Sequence, residues 1–303
     1  MPALHETAAE MGVPFTAVFE PLQKELKTPE LTMRYLEWGS QESPTVVLLH
    51  GFAQTAHSWD FVALSLADRY HVVSLDARGH GDSDWAPDAA YSTADHRRDV
   101  QALVDHLGSS PIAVIGLSMG GGTAYSYTAE KPADISALVI VDAGPSGNPT
   151  GQKRIGDFVE LPDELDTLDE FIERIHTYVP HRPIEQLRST VINNVRQNEA
   201  GKWIWKYDSV LRDPARPRSG IPSEQAWSYL KNIQCPTLLI RGADSDVLTA
   251  DTALKMEQIM RDCTLITVGK AGHLVPGDNP VGFISAVRPW LDRMHGIQPG
   301  GGA

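Results

Sequence analysis

The chain reads as a doubly wound α/β protein on a mostly parallel sheet, with a helical block inserted. Three observations carry this reading. First, short apolar β-branched runs recur: "TVVLLHG", "HVVSLDARGHG", "PIAVIGLSMGGG", "ISALVIVDAGP", "CPTLLIRGAD" and "TLITVGKAGH". Uninterrupted apolar runs mean burial on both faces, as parallel central strands require. Second, segments of helical spacing follow these runs, so the units alternate strand and helix. Third, the alternation stops between Ser146 and Trp227 and then resumes.

Each element has a local reason. "LTMRYLEWGS" alternates as an edge strand does and ends at Gly39. "SWDFVALSLADRY" has helical spacing, and "STADHRRDVQALVDHLG" opens on an N-cap serine and closes on Gly108. In the interruption, "LDTLDEFIERIHTYV" and "PIEQLRSTVINNVRQNEA" are amphipathic and acidic. "TADTALKMEQIM" and "NPVGFISAVRPWLDRM" supply the last two helices. The expected organisation is an N-terminal arm over 1–28, a core over 29–145 and 228–295, and a helical cap over 146–227. A disordered Gly-rich tail is expected over 296–303.

Bulk properties narrow the function. A length of 303 residues suits one large domain with an insertion. The 26 basic against 39 acidic residues give a net charge of -13, which argues against nucleic-acid or anionic-membrane partners. Cys235 and Cys263 have no paired spacing, so neither a disulfide framework nor a zinc site is expected. With no signal-peptide pattern and no long apolar stretch, a cytoplasmic protein is expected.

Four motifs carry chemistry. Gly116-Leu117-Ser118-Met119-Gly120 stands between a predicted strand and a predicted helix. A sharp turn with small flanking residues would expose Ser118 as a nucleophile. His50-Gly51-Phe52 closes an earlier strand. An oxyanion needs converging backbone donors, and Phe52 N–H and Met119 N–H are the expected pair. His50 is read as a residue that orients this loop. His273 follows the final strand, where a general base must sit to reach the nucleophile. The acid is expected at Asp246, after the penultimate strand; Asp244 and Asp142 are the alternatives.

These motifs, in this order, resemble the α/β-hydrolase superfamily over residues 30–295. Asp76-Ala77-Arg78-Gly79-His80-Gly81-Asp82-Ser83 adds the superfamily's D-x-R-G-x-G-x-S loop, which is usually structural. The resemblance implies Ser118 as nucleophile, His273 as base, and Phe52 and Met119 as oxyanion donors. The acid transfers less directly, because Ser245 stands three residues after the strand-ending glycine, where the pattern has Asp. A serine at the elbow implies acyl transfer on an ester or lactone of small to medium size, with no metal or organic cofactor. A carbon–carbon hydrolase, with Arg196 as a carboxylate-binding residue, and a slow small-molecule receptor are the alternatives. Gly51, Trp203 and Trp205 are the candidate pocket residues; Trp203, Trp205 and Tyr207 either line an acyl pocket or pack the cap on the core.

Overall fold

The computed structural model describes residues 3–213 and 220–298. The elements in chain order are α1 (Leu4–Glu10), β1 (Leu22–Lys27), β2 (Thr32–Trp38), β3 (Thr45–Leu49), α2 (Asp60–Leu66), β4 (His71–Leu75), α3 (Thr93–Leu107), β5 (Ile112–Leu117), α4 (Met119–Glu130) and β6 (Ile135–Val141). The insertion follows with α5 (Pro149–Val159), β7 (Glu164–Leu165), α6 (Leu168–Tyr178), α7 (Ile184–Val191), β8 (Val195–Gln197) and β9 (Trp203–Trp205). The chain ends with α8 (Ser223–Asn232), β10 (Thr237–Gly242), α9 (Ala250–Ile259), β11 (Cys263–Val268), α10 (Val275–Asp278) and α11 (Pro280–Met294).

Eight strands form one sheet in the order β1-β2-β4-β3-β5-β6-β10-β11. β1–β2 and β2–β4 are antiparallel; the remaining pairs are parallel. Period-two alternation builds a core on each face. Val46, Leu48, Ala113, Ile115 and Leu117 pack on the face of α1, α2 and α11. Val47, Leu49, Ile112 and Val114 pack on the opposite face with α3, α4, α8 and α9. The expected helix signals on α3 are present: Ser92 and Asp95 form a reciprocal cap, and Gly108 ends the helix at φ 61°.

Four features differ from the sequence expectation. The first 28 residues are more than an arm. α1 buries Ala8 in the core, and Leu22–Lys27 extends the sheet as β1. Weak periodicity hid both, because β1 is an edge strand with mostly exposed side chains. The insertion is not wholly helical: β7, β9 and β8 form a small antiparallel sheet, too short to give a sequence pattern. α8 opens at Ser223, ahead of the expected core restart at 228, and buries Ala226 and Leu230 in the core. Of the expected tail, Ile297 packs on the core and its N–H donates to Asp292 O; residues 299–303 lie outside the described residues.

The turn between β5 and α4 permits no side chain at its glycines. A Cβ on Gly116 would lie 2.2 Å from Gly120 O, and one on Gly120 would lie 2.2 Å from Leu49 O. Both obstacles are backbone. Gly116→Ala is therefore expected to destabilise the fold by about 3 kcal/mol, read as a lower urea midpoint at unchanged slope.

Candidate active site

β5 is the fifth strand of the eight, with β3 and β6 as its neighbours. Its carboxyl end delivers Ser118 at φ 53° and ψ -112°, a strained backbone conformation for a residue with a Cβ. The strain is held in place. Ser118 N–H donates to Val141 O at the end of β6, and Ser118 O accepts from Gly122 N–H in the first turn of α4.

His273 stands in the loop after β11 and is 4% exposed. Its Nε2 lies 2.9 Å from Ser118 Oγ, and its Nδ1 lies 2.9 Å from Asp142 Oδ1. The loop is fixed from below: Gly272 N–H donates to Asp278 Oδ2 at 2.8 Å. Asp278 is in turn held by Arg182 of the cap, whose Nε donates to Oδ1 at 2.7 Å.

The carboxylate that reaches His273 is thus Asp142, not the expected Asp246. Topology gives the reason. β6 lies between β5 and β10, so the residue following β6 emerges beside Ser118. Asp142 takes φ 44° there and is fully buried. Its Oδ2 accepts Gly242 N–H at 2.9 Å, and its Oδ1 also accepts the Ser245 hydroxyl at 2.6 Å. Ser245, at the position where the superfamily pattern has its acid, is a donor to Asp142 on the neighbouring strand. Its Oγ accepts Val247 N–H at 3.1 Å, which orients the hydroxyl proton toward Asp142.

Asp246 is engaged elsewhere. Arg154 of α5 binds both of its oxygens, Nε at 2.6 Å and Nη2 at 2.8 Å. This pairing is the main reason its carboxyl is held below the usual carboxylate range. Arg154 also lies over the Tyr178 ring at 4.4 Å, so the trio joins cap to core. Asp244 is exposed, and its backbone N–H donates to Ala271 O.

The loop after β3, which carries Phe52, is held by His50. Its Nδ1–H donates to Gly51 O at 2.8 Å, and its Nε2 accepts Ala77 N–H at 3.0 Å. Burial pushes the ring's pKa down to about 4, so it stays neutral at physiological pH. Gly51 lies against Ser118: a Cβ there would be 3.5 Å from Ser118 Cβ. Gln54, which the sequence reading did not single out, completes the turn by accepting Gly51 N–H at 2.9 Å. Phe52 packs its ring on His80 and on Tyr207 of the cap. Among the described residues, neither Phe52 N–H nor Met119 N–H is used by another hydrogen bond.

The Asp76–Ser83 segment supports this loop from behind. Asp76 accepts Ala56 N–H and Asp82 N–H, Arg78 binds both oxygens of Asp99, and Ser83 Oγ donates to Asp76 O. The cap is latched to the same segment. Gly81 N–H donates to Lys206 O, and Asp208 N–H donates to Gly79 O.

Trp203 and Trp205 lie in β9. Trp205 is 8% exposed and meets Phe171 edge-on at 4.7 Å, within an apolar cluster that reaches the core through Ala53 and Leu274. Trp205 thus packs within the cap's own cluster, and Tyr207 carries the ring contacts to Phe52 and His80 of the core. Arg196 lies over the exposed Trp85 ring at 5.4 Å. Among the described residues, no group of His, Cys, Asp and Glu is arranged to hold a metal ion. No described helix is long and apolar enough to cross a membrane.

A half-buried hydroxyl on a strand-to-helix turn, bonded to an imidazole that is bonded to a buried carboxylate, can accept an acyl group and pass it to water. A family model of the alpha/beta hydrolase fold matches residues 44–280, and the chain belongs to that family. The esterase Rv0045c of Mycobacterium tuberculosis is 30% identical over 265 residues, which are 85% of each chain. A solved structure of that esterase aligns with a TM-score of 0.77 at 28% identity, covering 95% of this chain and 96% of its own. The 3-hydroxybutyrate-oligomer hydrolase of Cupriavidus necator is 30% identical over 253 residues, 80% of this chain and 86% of its own.

Proposed function

We propose that the protein is a serine hydrolase of small or medium carboxylic esters, lactones included, acting through an acyl-enzyme. The observation that carries this reading is the continuous chain from Ser118 Oγ through His273 to Asp142. Attack by Ser118 Oγ on the ester carbonyl transfers its proton to His273 Nε2. Asp142 fixes the tautomer with the proton on Nδ1 and stabilises the imidazolium. Phe52 N–H and Met119 N–H receive the developing oxyanion. The leaving alcohol takes the proton from His273, and a water activated by the same nitrogen releases the acid. The cap's attachment to both the oxyanion loop and the histidine loop supports a substrate bound beneath it, which favours small esters over polymers. The activities named for the two relatives, an esterase and an ester-oligomer hydrolase, agree with this chemistry.

The test is stopped-flow hydrolysis of p-nitrophenyl esters of increasing acyl length, beside simple lactones. A burst of about one equivalent, or steady turnover, is expected on short acyl chains. A fluorophosphonate is expected to label Ser118 stoichiometrically, read by peptide mass. A folded protein that turns over no ester and takes no label would overturn the proposal.

A further inference from the structure

The ring of His273 is aimed by Ser118 and Asp142, but its backbone must also be held in place. The residues on either side of it are gripped. Gly272 N–H donates to Asp278 Oδ2 at 2.8 Å, and Leu274 O accepts from Arg182 Nη2 at 3.2 Å. One guanidinium serves both grips, because Arg182 Nε also donates to Asp278 Oδ1 at 2.7 Å. The Arg182 side chain is 11% exposed and that of Asp278 is 1% exposed. Charge-assisted bonds at that depth are strong and little screened. His181 Nε2 lies 3.0 Å from the same Asp278 oxygen, on a more exposed side chain.

Asp278 belongs to the segment that carries His273, so its bond to Gly272 sets the segment's shape rather than its place. Place comes from the neighbours. The core holds one end through Asp244 N–H, which donates to Ala271 O, and packs Val275 beneath. The cap supplies Arg182, and Gln186, whose Nε2 donates to Gly277 O at 2.8 Å. Arg182 reaches both neighbours of His273, Leu274 directly and Gly272 through Asp278. It is itself well anchored between α6 and α7. Its N–H donates to Val179 O at 3.1 Å, and Val179 and Leu187 are buried in the cap's own cluster. A Cβ on Gly277 would lie 2.6 Å from Arg182 Nη2, so a glycine keeps the guanidinium's seat open.

We propose that Arg182 is a positioning residue for the general base: through Asp278 and Leu274 O, the seated cap fixes the place of His273. The inference rests on the serine-esterase reading and adds a cap residue to its machinery. Reacting groups must be held within about 0.5 Å of their productive place, and a misplacement of about 1 Å costs about 100-fold in rate.

The experiment measures kcat and KM on p-nitrophenyl acetate, at a temperature where each variant is folded by circular dichroism. Arg182→Met is expected to lower kcat by about 10- to 100-fold with KM within about twofold of wild type. Asp278→Ala should lose a similar factor, and the double variant little more than either, because both act on one loop. Arg182→Lys should fall between wild type and Arg182→Met, since a single ammonium cannot span both contacts. Arg188→Gln, which loses only an exposed pair with Asp169, should match wild type. The second readout is the low-field proton resonance of His273 Nδ1–H. It should broaden by exchange in Arg182→Met and stay sharp in Arg188→Gln. A lower Tm with wild-type kcat and resonance would make Arg182 a stabilising residue only and overturn the proposal. A raised KM at unchanged kcat would place Arg182 on the substrate and overturn it too. Losses that multiply in the double variant would overturn the route through Asp278. If Arg182→Met does not fold, Arg182→Lys decides: a lower kcat at unchanged KM supports the positioning role, and a wild-type kcat overturns it. If wild type turns over no ester, the esterase reading fails and the resonance decides alone. Broadening in the Arg182 variants then supports the positioning role, and an unchanged line overturns it.

Discussion

Ser118→Ala is expected to lower kcat on p-nitrophenyl acetate by about 10^6 while the urea midpoint stays close to wild type. The first half follows from the geometry of the relay. Without Oγ, His273 Nε2 has no proton to accept, and only water can attack. The second half follows from position. Ser118 is half-buried and gives its hydroxyl to His273, so alanine removes little packing. Backbone strain supplies an internal control. At φ 53° both serine and alanine are disfavoured, whereas glycine is not. Ser118→Gly should therefore be equally inactive yet about 1 kcal/mol more stable than Ser118→Ala. Retained turnover in either variant would place the nucleophile elsewhere. Equal stability of the two would mean that the elbow stores no strain.

The elbow and the histidine were legible because each rests on a local pattern. Gly116 and Gly120 flank Ser118 for a steric reason that any sequence must meet, and His273 follows the last buried strand. The acid was harder because its identity depends on which strands are neighbours. Two loops offered carboxylates, after β6 and after β10, and both strands end at the same sheet edge. What separated them was the partner each carboxylate finds, which no linear pattern records. Arg154 lies 92 positions from Asp246, and Ser245 lies 103 from Asp142. The one sequence signal was negative: Ser245 where the superfamily has an acid. A serine there has a hydroxyl to give, and the nearest acceptor is Asp142. The short cap strands and edge strand β1 escaped for another reason, since neither buries enough residues to impose a period.

The position of the acid can be tested by moving it. Asp142→Asn is expected to lower kcat by about 10^4, because an amide favours the wrong histidine tautomer and leaves the imidazolium without a counter-charge. Asp246→Asn should change kcat by less than about threefold, and its loss of the partly exposed Arg154 pair should cost about 0.2–1 kcal/mol. The informative variant is Ser245→Asp in the Asp142→Asn background. Ser245 Oγ lies 2.6 Å from the Asp142 oxygen that faces His273 Nδ1, so a carboxylate grafted at 245 starts within about one hydrogen bond of the imidazole. The double variant is expected to recover at least about tenfold over Asp142→Asn. Ser245→Asp alone should be worse than wild type, because two buried carboxylates would then share one imidazole and one of them must take up a proton. Steady-state kcat on one activated ester, across all four variants, reads every comparison. A collapse at Asp246→Asn with near-normal rate at Asp142→Asn would return the acid to the β10 loop. Failure of the double variant with intact folding would mean that the backbone at 245 cannot aim a carboxylate, leaving Ser245 as a positioning residue for Asp142.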